Sequence, residues 1–301
     1  MVVWGGTAVF TKIAANQMDP LLVGVLRTVL GGCLALPLAL LTRKKIPAGR
    51  HERRLLAFTG FAAYIGFPLI FAFGQDMTSA VHGTLIFAML PVLTSLFGTI
   101  LERRRVSALW VVGCVIALAG TAVVILSGRH DAGEEASLLG DLLVLAASTV
   151  CAMGYVIGAR LSQRGYAAVP TTLWGITGAS VLLLPLLAWL LLSGGLPQAN
   201  AAAWGSVLIL AVLVSVLGYI GWYWALAKGG ISRIASMQFT EPLFGVPLAV
   251  ALLGERPGLV TLVAAVGVLF GAWLVFRAGR PKAAAPDLGR EGPDGEDFVR
   301  S

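Results

Sequence analysis

Four ionisable side chains stand inside long apolar runs: Lys12, Arg27, His82 and Glu241. Charge in a hydrocarbon setting is costly and is kept where it pairs, lines water or binds cargo. Lys12 and Arg27 lie on neighbouring segments, each roughly 7–10 Å from the same end at about 1.5 Å per residue. Together they suit the attraction of an anionic group such as a carboxylate. Alternatively, Arg27 bonds helix-end carbonyls or a neighbouring carboxylate, and Lys12 extends its ammonium outward to the interface. Glu241 lies about 10 Å in from the opposite end of its segment and directly precedes Pro242. A carboxylate there suits a proton-coupling site. It also suits satisfaction of polar groups around a proline that cannot donate an N–H. Gln238 and Thr240, one turn away, are candidate polar lining. His82 reads equally as a hydrogen-bonded packing residue or a substrate ligand. Asp76 and Asp141 are expected at hydrated segment ends.

Aromatic residues form the second candidate set. Tyr64, Phe67, Phe71 and Phe73 lie on one segment, and Tyr219, Trp222, Tyr223 and Trp224 on another. Such rings suit apolar or aromatic moieties and cation–π contact with amines; ordinary interfacial or lipid-facing packing is the competing account. Tyr155 and Trp174 fit either. Trp222 and Trp224 align with Phe71 and Phe73, which predicts that both pairs face inward.

What must position these residues is a membrane bundle. The 301 residues are 57% hydrophobic and 12% charged, with mean hydropathy +0.86, whereas soluble domains carry roughly 25% charge. Ten apolar segments are each about long enough to cross a hydrocarbon core: approximately 2–17, 20–41, 55–74, 80–101, 107–127, 138–159, 170–193, 202–227, 234–254 and 258–276. The net charge of +7 comes from short basic clusters between these runs, which is a topology signature rather than a nucleic-acid stripe. Cys33, Cys114 and Cys151 are odd in number and lack CxxC spacing, so neither a disulfide framework nor a metal site is indicated. No cofactor is implied. The start reads as a retained first span, and 277–301, rich in Pro, Gly and charge, as a disordered cytoplasmic tail.

The chain also repeats itself. Ser236–Arg256 has a weaker copy 151 residues earlier, Leu85–Arg105, with Pro91 on Pro242 and Arg105 on Arg256. Five segments precede the midpoint and five follow, so the second copy must be inverted. The loops agree. The second-to-third loop holds Arg43, Lys44, Lys45, Arg50, Arg53 and Arg54, the fourth-to-fifth Arg103, Arg104 and Arg105, the sixth-to-seventh Arg160 and Arg164, and the eighth-to-ninth Lys228 and Arg233. The remaining loops hold only Arg129 and Arg256, and the tail adds Arg277, Arg280 and Lys282. The even-to-odd loops and both termini are therefore expected in the cytoplasm. Inverted repeats characterise secondary transporters with a site near the midplane. The expected fold is all-α and polytopic: ten transmembrane helices as two inverted five-helix repeats, 1–127 and 128–276. Gly113, Ala117 and Gly120 on the fifth span and Gly267 and Gly271 on the tenth predict a close-packed seam between the halves.

Trp4-Gly5 opening the first span, Pro20 followed by Arg27, Glu241-Pro242 and Gly254-Glu255-Arg256 together resemble the EamA family of the drug/metabolite transporter superfamily. The resemblance covers residues 1 to about 276. It implies a central cavity between the halves and export of metabolites, often amino acids, across the bacterial inner membrane. The first repeat departs from the pattern, since Leu90 rather than a carboxylate precedes Pro91 and Glu102 is two residues out of register with Glu255.

The function expected is alternating-access export of small metabolites, foremost amino acids with apolar or aromatic bodies, with protons as a candidate coupling ion. A multidrug, cationic or nucleobase-type transporter is the alternative. An intramembrane enzyme would need a catalytic constellation, and the chain contains no HExxH, no GxSxG and no paired aspartates at span centres. The expected partners are the substrate and the lipid bilayer, without nucleic acid, in a monomer or weak homodimer.

Overall fold

The computed structural model describes residues 1–102, 106–127, 137–229 and 236–278, and the regular structure among them is helical. Eight helices are long and apolar enough to cross a membrane: α2 (Pro20–Leu41), α3 (Arg50–Asp76), α4 (Ala80–Leu101), α5 (Ala108–Ser127), α6 (Leu138–Gln163), α7 (Ala168–Gly194), α8 (Ala201–Leu226) and α10 (Leu259–Ala278). Two shorter apolar helices, α1 (Val2–Ala15) and α9 (Met237–Leu253), join them. In lipid each backbone polar group must be satisfied within the chain, which a helix does along its length but not at its ends. The ends are capped accordingly. Asp19 Oδ1 accepts from Leu22 N–H at 3.1 Å before the Pro20 start of α2. Ser79, Ser137 and Asn200 cap α4, α6 and α8 in the same way.

The segment boundaries match the hydropathy reading closely, with two extensions: α6 runs on to Gln163, four residues past its apolar run and through Arg160, and α3 starts early. α3 begins at Arg50, five residues before the apolar run, and carries Arg50, Arg53 and Arg54 on its first turns. Glu52 in the first turn suits the helix dipole, and Arg53 Nε closes onto Pro47 O at 2.8 Å. The basic cluster is thus partly helical rather than loop. Arg103 to Arg105, Arg129, His130, Arg233 and the tail from residue 279 lie outside the described residues.

Regular winding breaks at five places among the described residues. α1 is divided at Gly6. α4 pauses at Ala88–Met89 and restarts at Leu90. α9 opens as a tight 3₁₀ turn over Ser236–Thr240 and becomes α-helical at Glu241. α3 and α8 each contain wider i→i+5 winding, over Ala62–Gly66 and Ile209–Gly218. Such winding frees backbone carbonyls and recurs at functional sites.

α5 packs on α10, α2 on α7, and α3 on α6, with α1 set between α8 and α9. The α5–α10 seam is as close as its small residues predict. A Cβ on Gly113 would lie 2.7 Å from Val275 N and 2.8 Å from Gly271 O.

Candidate functional site

The interior of the bundle holds a cluster of rings built from α1, α3, α6 and α8. Trp4 stacks on Tyr155 with centroids 5.9 Å apart and planes at 13°. It meets Tyr219 edge-on at 5.5 Å and Trp222 at 5.3 Å. Tyr219 in turn contacts Tyr64, Tyr155 and Tyr223. All six are buried. The i→i+5 winding supplies the acceptors that lock them. Trp4 Nε1 donates to Val214 O at 3.2 Å, and Tyr219 Oη to Ala63 O at 3.5 Å. Both carbonyls lie in the loosely wound stretches. The Tyr64 and Tyr223 hydroxyls and the Trp222 indole N–H are buried without a hydrogen bond of good geometry, Thr172 being the polar side chain that approaches Tyr64.

Arg27 borders this cluster from α2 and is 3% exposed. Its Nε donates to Ser215 Oγ at 2.8 Å, and its guanidinium lies 5.2 Å above the Phe67 ring. Tyr64, Cys151, Tyr155 and Tyr219 are its electrostatic neighbours. Among the described residues no carboxylate pairs with it. A buried guanidinium with one of five N–H donors bonded is an anion receptor with unspent capacity.

Glu241 is also buried, at 4% exposed, and its Oε1 makes no hydrogen bond of good geometry. Gln238 approaches it, itself buried with neither amide atom so bonded. Tyr155 and Cys151 lie within electrostatic reach of both Glu241 and Arg27. The two charges therefore border one ring cluster from different helices, without a direct ion pair among the described residues.

Other candidates sit elsewhere. Lys12 is buried rather than reaching outward, and its Nζ donates to Asp76 O at 3.0 Å, the C-terminal end of α3. A cation at a helix C-terminus is favoured by the dipole. Phe67 and Phe71 pack on each other and on Phe87. Phe73 and Trp224 are 40% and 59% exposed, so the inward wall drawn from them is corrected: they point out of the bundle, and only Phe71 and Trp222 of the aligned pairs are inside. Thr240 is likewise exposed, bonding Met237 O at 2.8 Å. Trp174 bonds Lys44 O at 3.1 Å at the edge of the bundle. His82 Nδ1 lies 3.1 Å from Asp141 Oδ2, and Thr78 Oγ1 donates to Asp141 Oδ1. Asp141 is 1% exposed, so its expected place at a hydrated end is also corrected. Burial is tolerable because two side chains meet its oxygens.

Three members were missed from the sequence: Trp4, Ser215 and Cys151, whose Sγ lies 3.8 Å from Tyr219 Oη. A signal for Trp4 existed. The 151-residue offset that puts Pro91 on Pro242 also puts Trp4 on Tyr155.

Membrane-length helices packed around a buried arginine without an ion pair, among the described residues, make this a polytopic membrane protein. The chain belongs to the EamA-like transporter family, whose model matches residues 1–126 and 138–277. It is 30% identical over 274 residues to the uncharacterized transporter YdeK of Bacillus subtilis (strain 168), covering 89% of this chain and 91% of that one. It is 27% identical over 285 residues to a probable amino-acid metabolite efflux pump of Salmonella typhimurium, covering 91% of each. A solved crystal structure shares the fold with a TM-score of 0.62 at 18% identity, over 92% of this chain and 95% of that one. Family and relatives indicate a multi-pass membrane transporter rather than an enzyme.

Proposed function

We propose that this transporter is a secondary-active exporter of small metabolites that join a carboxylate to an apolar body, foremost apolar and aromatic amino acids. The observation that carries the reading is Arg27: a buried, ion-pair-free guanidinium with unused donors, set against Phe67 and the tyrosine cluster. A substrate carboxylate would take those donors, and the rings Trp4, Tyr155, Tyr219 and Trp222 would part around the apolar body. Relatives named as amino-acid exporters and efflux pumps support the substrate class. Glu241 is assigned the coupling proton.

The mechanism proposed is alternating access between two inverted repeats, 1–127 and 128–276, in the bacterial inner membrane with both termini cytoplasmic. Several observations support it. Helices occupying equivalent places in the two halves, α2 with α7 and α5 with α10, pack on each other. Trp4 stacks on its equivalent, Tyr155, as residues beside a two-fold axis do. Leu90 and Glu241, also equivalent, each begin the second part of a broken helix. Ala62–Gly66 shifted by 151 falls inside Ile209–Gly218. The family model matches each half separately.

A thermal-shift panel of metabolites tests the substrate class, because a ligand that binds the native state raises apparent stability with its concentration over Kd. The expected result is stabilisation by apolar amino acids and not by their amides or decarboxylated amines. Stabilisation by the amines instead would support the cationic alternative.

A further inference from the structure

The turn joining α3 to α4 is held by three elements from beyond its own hairpin. Lys12 of α1 donates to Asp76 O, the end of α3, at 3.0 Å. From the start of α6, Ser137 N donates to Met77 O at 3.0 Å, and Asp141 accepts from Thr78 and contacts His82. From the turn after α9, Glu255 takes both N-terminal amides of α4: Ala80 N donates to Oε1 at 2.6 Å and Val81 N to Oε2 at 2.8 Å. Gly254 makes this reach possible. It caps α9 in the left-handed conformation at φ 70° and turns the chain toward α4.

The charges match the helix ends they touch. A cation sits at the negative end of α3 and an anion at the positive end of α4, the favourable sense for both dipoles. The segment held, Ala80–Phe87, is a separate half-helix, since α4 pauses at Ala88–Met89. It is a short helical piece with a break in the winding at its inner end and Glu255 on its outer end, while Lys12 fastens the neighbouring end of α3. Neither fastening touches the ring cluster.

We propose that Glu255 and Lys12 are the latches of a gate formed by the α3–α4 turn, closing the site on that face of the membrane, and that opening this face breaks both contacts. The proposal rests on the alternating-access reading and adds to it the moving part and its fastenings. It also moves Lys12 from the substrate to the gate.

Cys151, buried beside Tyr219, is a native reporter. With Cys33→Ser and Cys114→Ser as background, its labelling by a membrane-impermeant trimethylammonium methanethiosulfonate is followed from each face of sealed vesicles. A separate Asp76→Cys protein marks the face that carries the turn. Glu255→Gln and Lys12→Met are expected to speed labelling from that face at least tenfold and to leave the opposite face unchanged or slower. Ala80→Pro is a second test that leaves Glu255 intact. It removes the N–H bonded to Oε1 at the first helical position, where proline is tolerated, after a Ser79 already extended at φ −72°, ψ 156°. It should act in the same direction. Unchanged labelling in folded variants, or an equal rise from both faces, overturns the latch. Substrate counterflow by the unmodified protein separates the two claims: its absence defeats the transport reading, whereas its presence with unchanged labelling defeats the latch alone.

Discussion

Replacing Arg27 by glutamine keeps donors but removes the charge. A hydrogen bond to a charged group is worth about 1.5–3 kcal/mol, so Arg27→Gln should weaken amino-acid binding roughly 10- to 100-fold without loss of folded yield. Arg27→Lys is expected to fall between, because an ammonium cannot reproduce the planar fork that holds Ser215 with one edge and offers the other. Wild-type affinity in Arg27→Gln would remove the guanidinium from the binding site. Glu241 makes a different prediction. Its neutral isostere, Glu241→Gln, should leave exchange of labelled for unlabelled substrate running while abolishing the response to an imposed pH gradient. A variant still driven by the gradient would return Glu241 to a structural role beside Pro242. The ionisable residues themselves were legible from the sequence, because each interrupts an apolar run. Their partners were not. His82 and Asp141 are 59 residues apart and Arg27 and Ser215 are 188 apart, and nothing in the local pattern of either segment encodes those meetings.

At the scale of the helices, the α5–α10 seam is the element whose packing has least room. Gly113→Val would force its side chain against the Val275 amide and the Gly271 carbonyl. Overpacking of this kind costs about 1–3 kcal/mol, so a clear fall in detergent melting temperature is expected. Gly178, with open space around its Cβ position, is the control and should accept alanine with little change. Helix limits were readable because a bilayer demands about twenty apolar residues per crossing, and polar caps such as Asp19 and Asn200 mark the ends. The inward faces were less readable. Rings at Tyr219, Trp222, Tyr223 and Trp224 surround most of α8, so only packing decides that Trp224 looks outward. The looser winding of α3 and α8 left no recognised mark in the sequence. It nevertheless sets the acceptors that hold Trp4 and Tyr219.

For the whole molecule, the proposed carrier sets one site between two proposed halves. Trp4 of the first proposed half meets Tyr155 of the second, Arg27 and Glu241 approach the rings from different helices, and the α3–α4 turn is the proposed gate. The proposed duplication is read from the 151-residue offset and from the alternation of basic loops. The closed arrangement of the rings was not visible there, because contact between side chains of α1, α3, α6 and α8 depends on how the helices rotate against one another. The central claim is that this chain carries a carboxylate-bearing apolar metabolite across the membrane, and counterflow tests it most directly. Proteoliposomes are loaded with unlabelled phenylalanine or leucine and diluted into a trace of the labelled amino acid. The account predicts a transient accumulation of label inside vesicles containing the wild-type protein, reduced at least tenfold for Arg27→Gln. Accumulation that is absent for apolar amino acids but present for organic cations, and indifferent to Arg27, would contradict it.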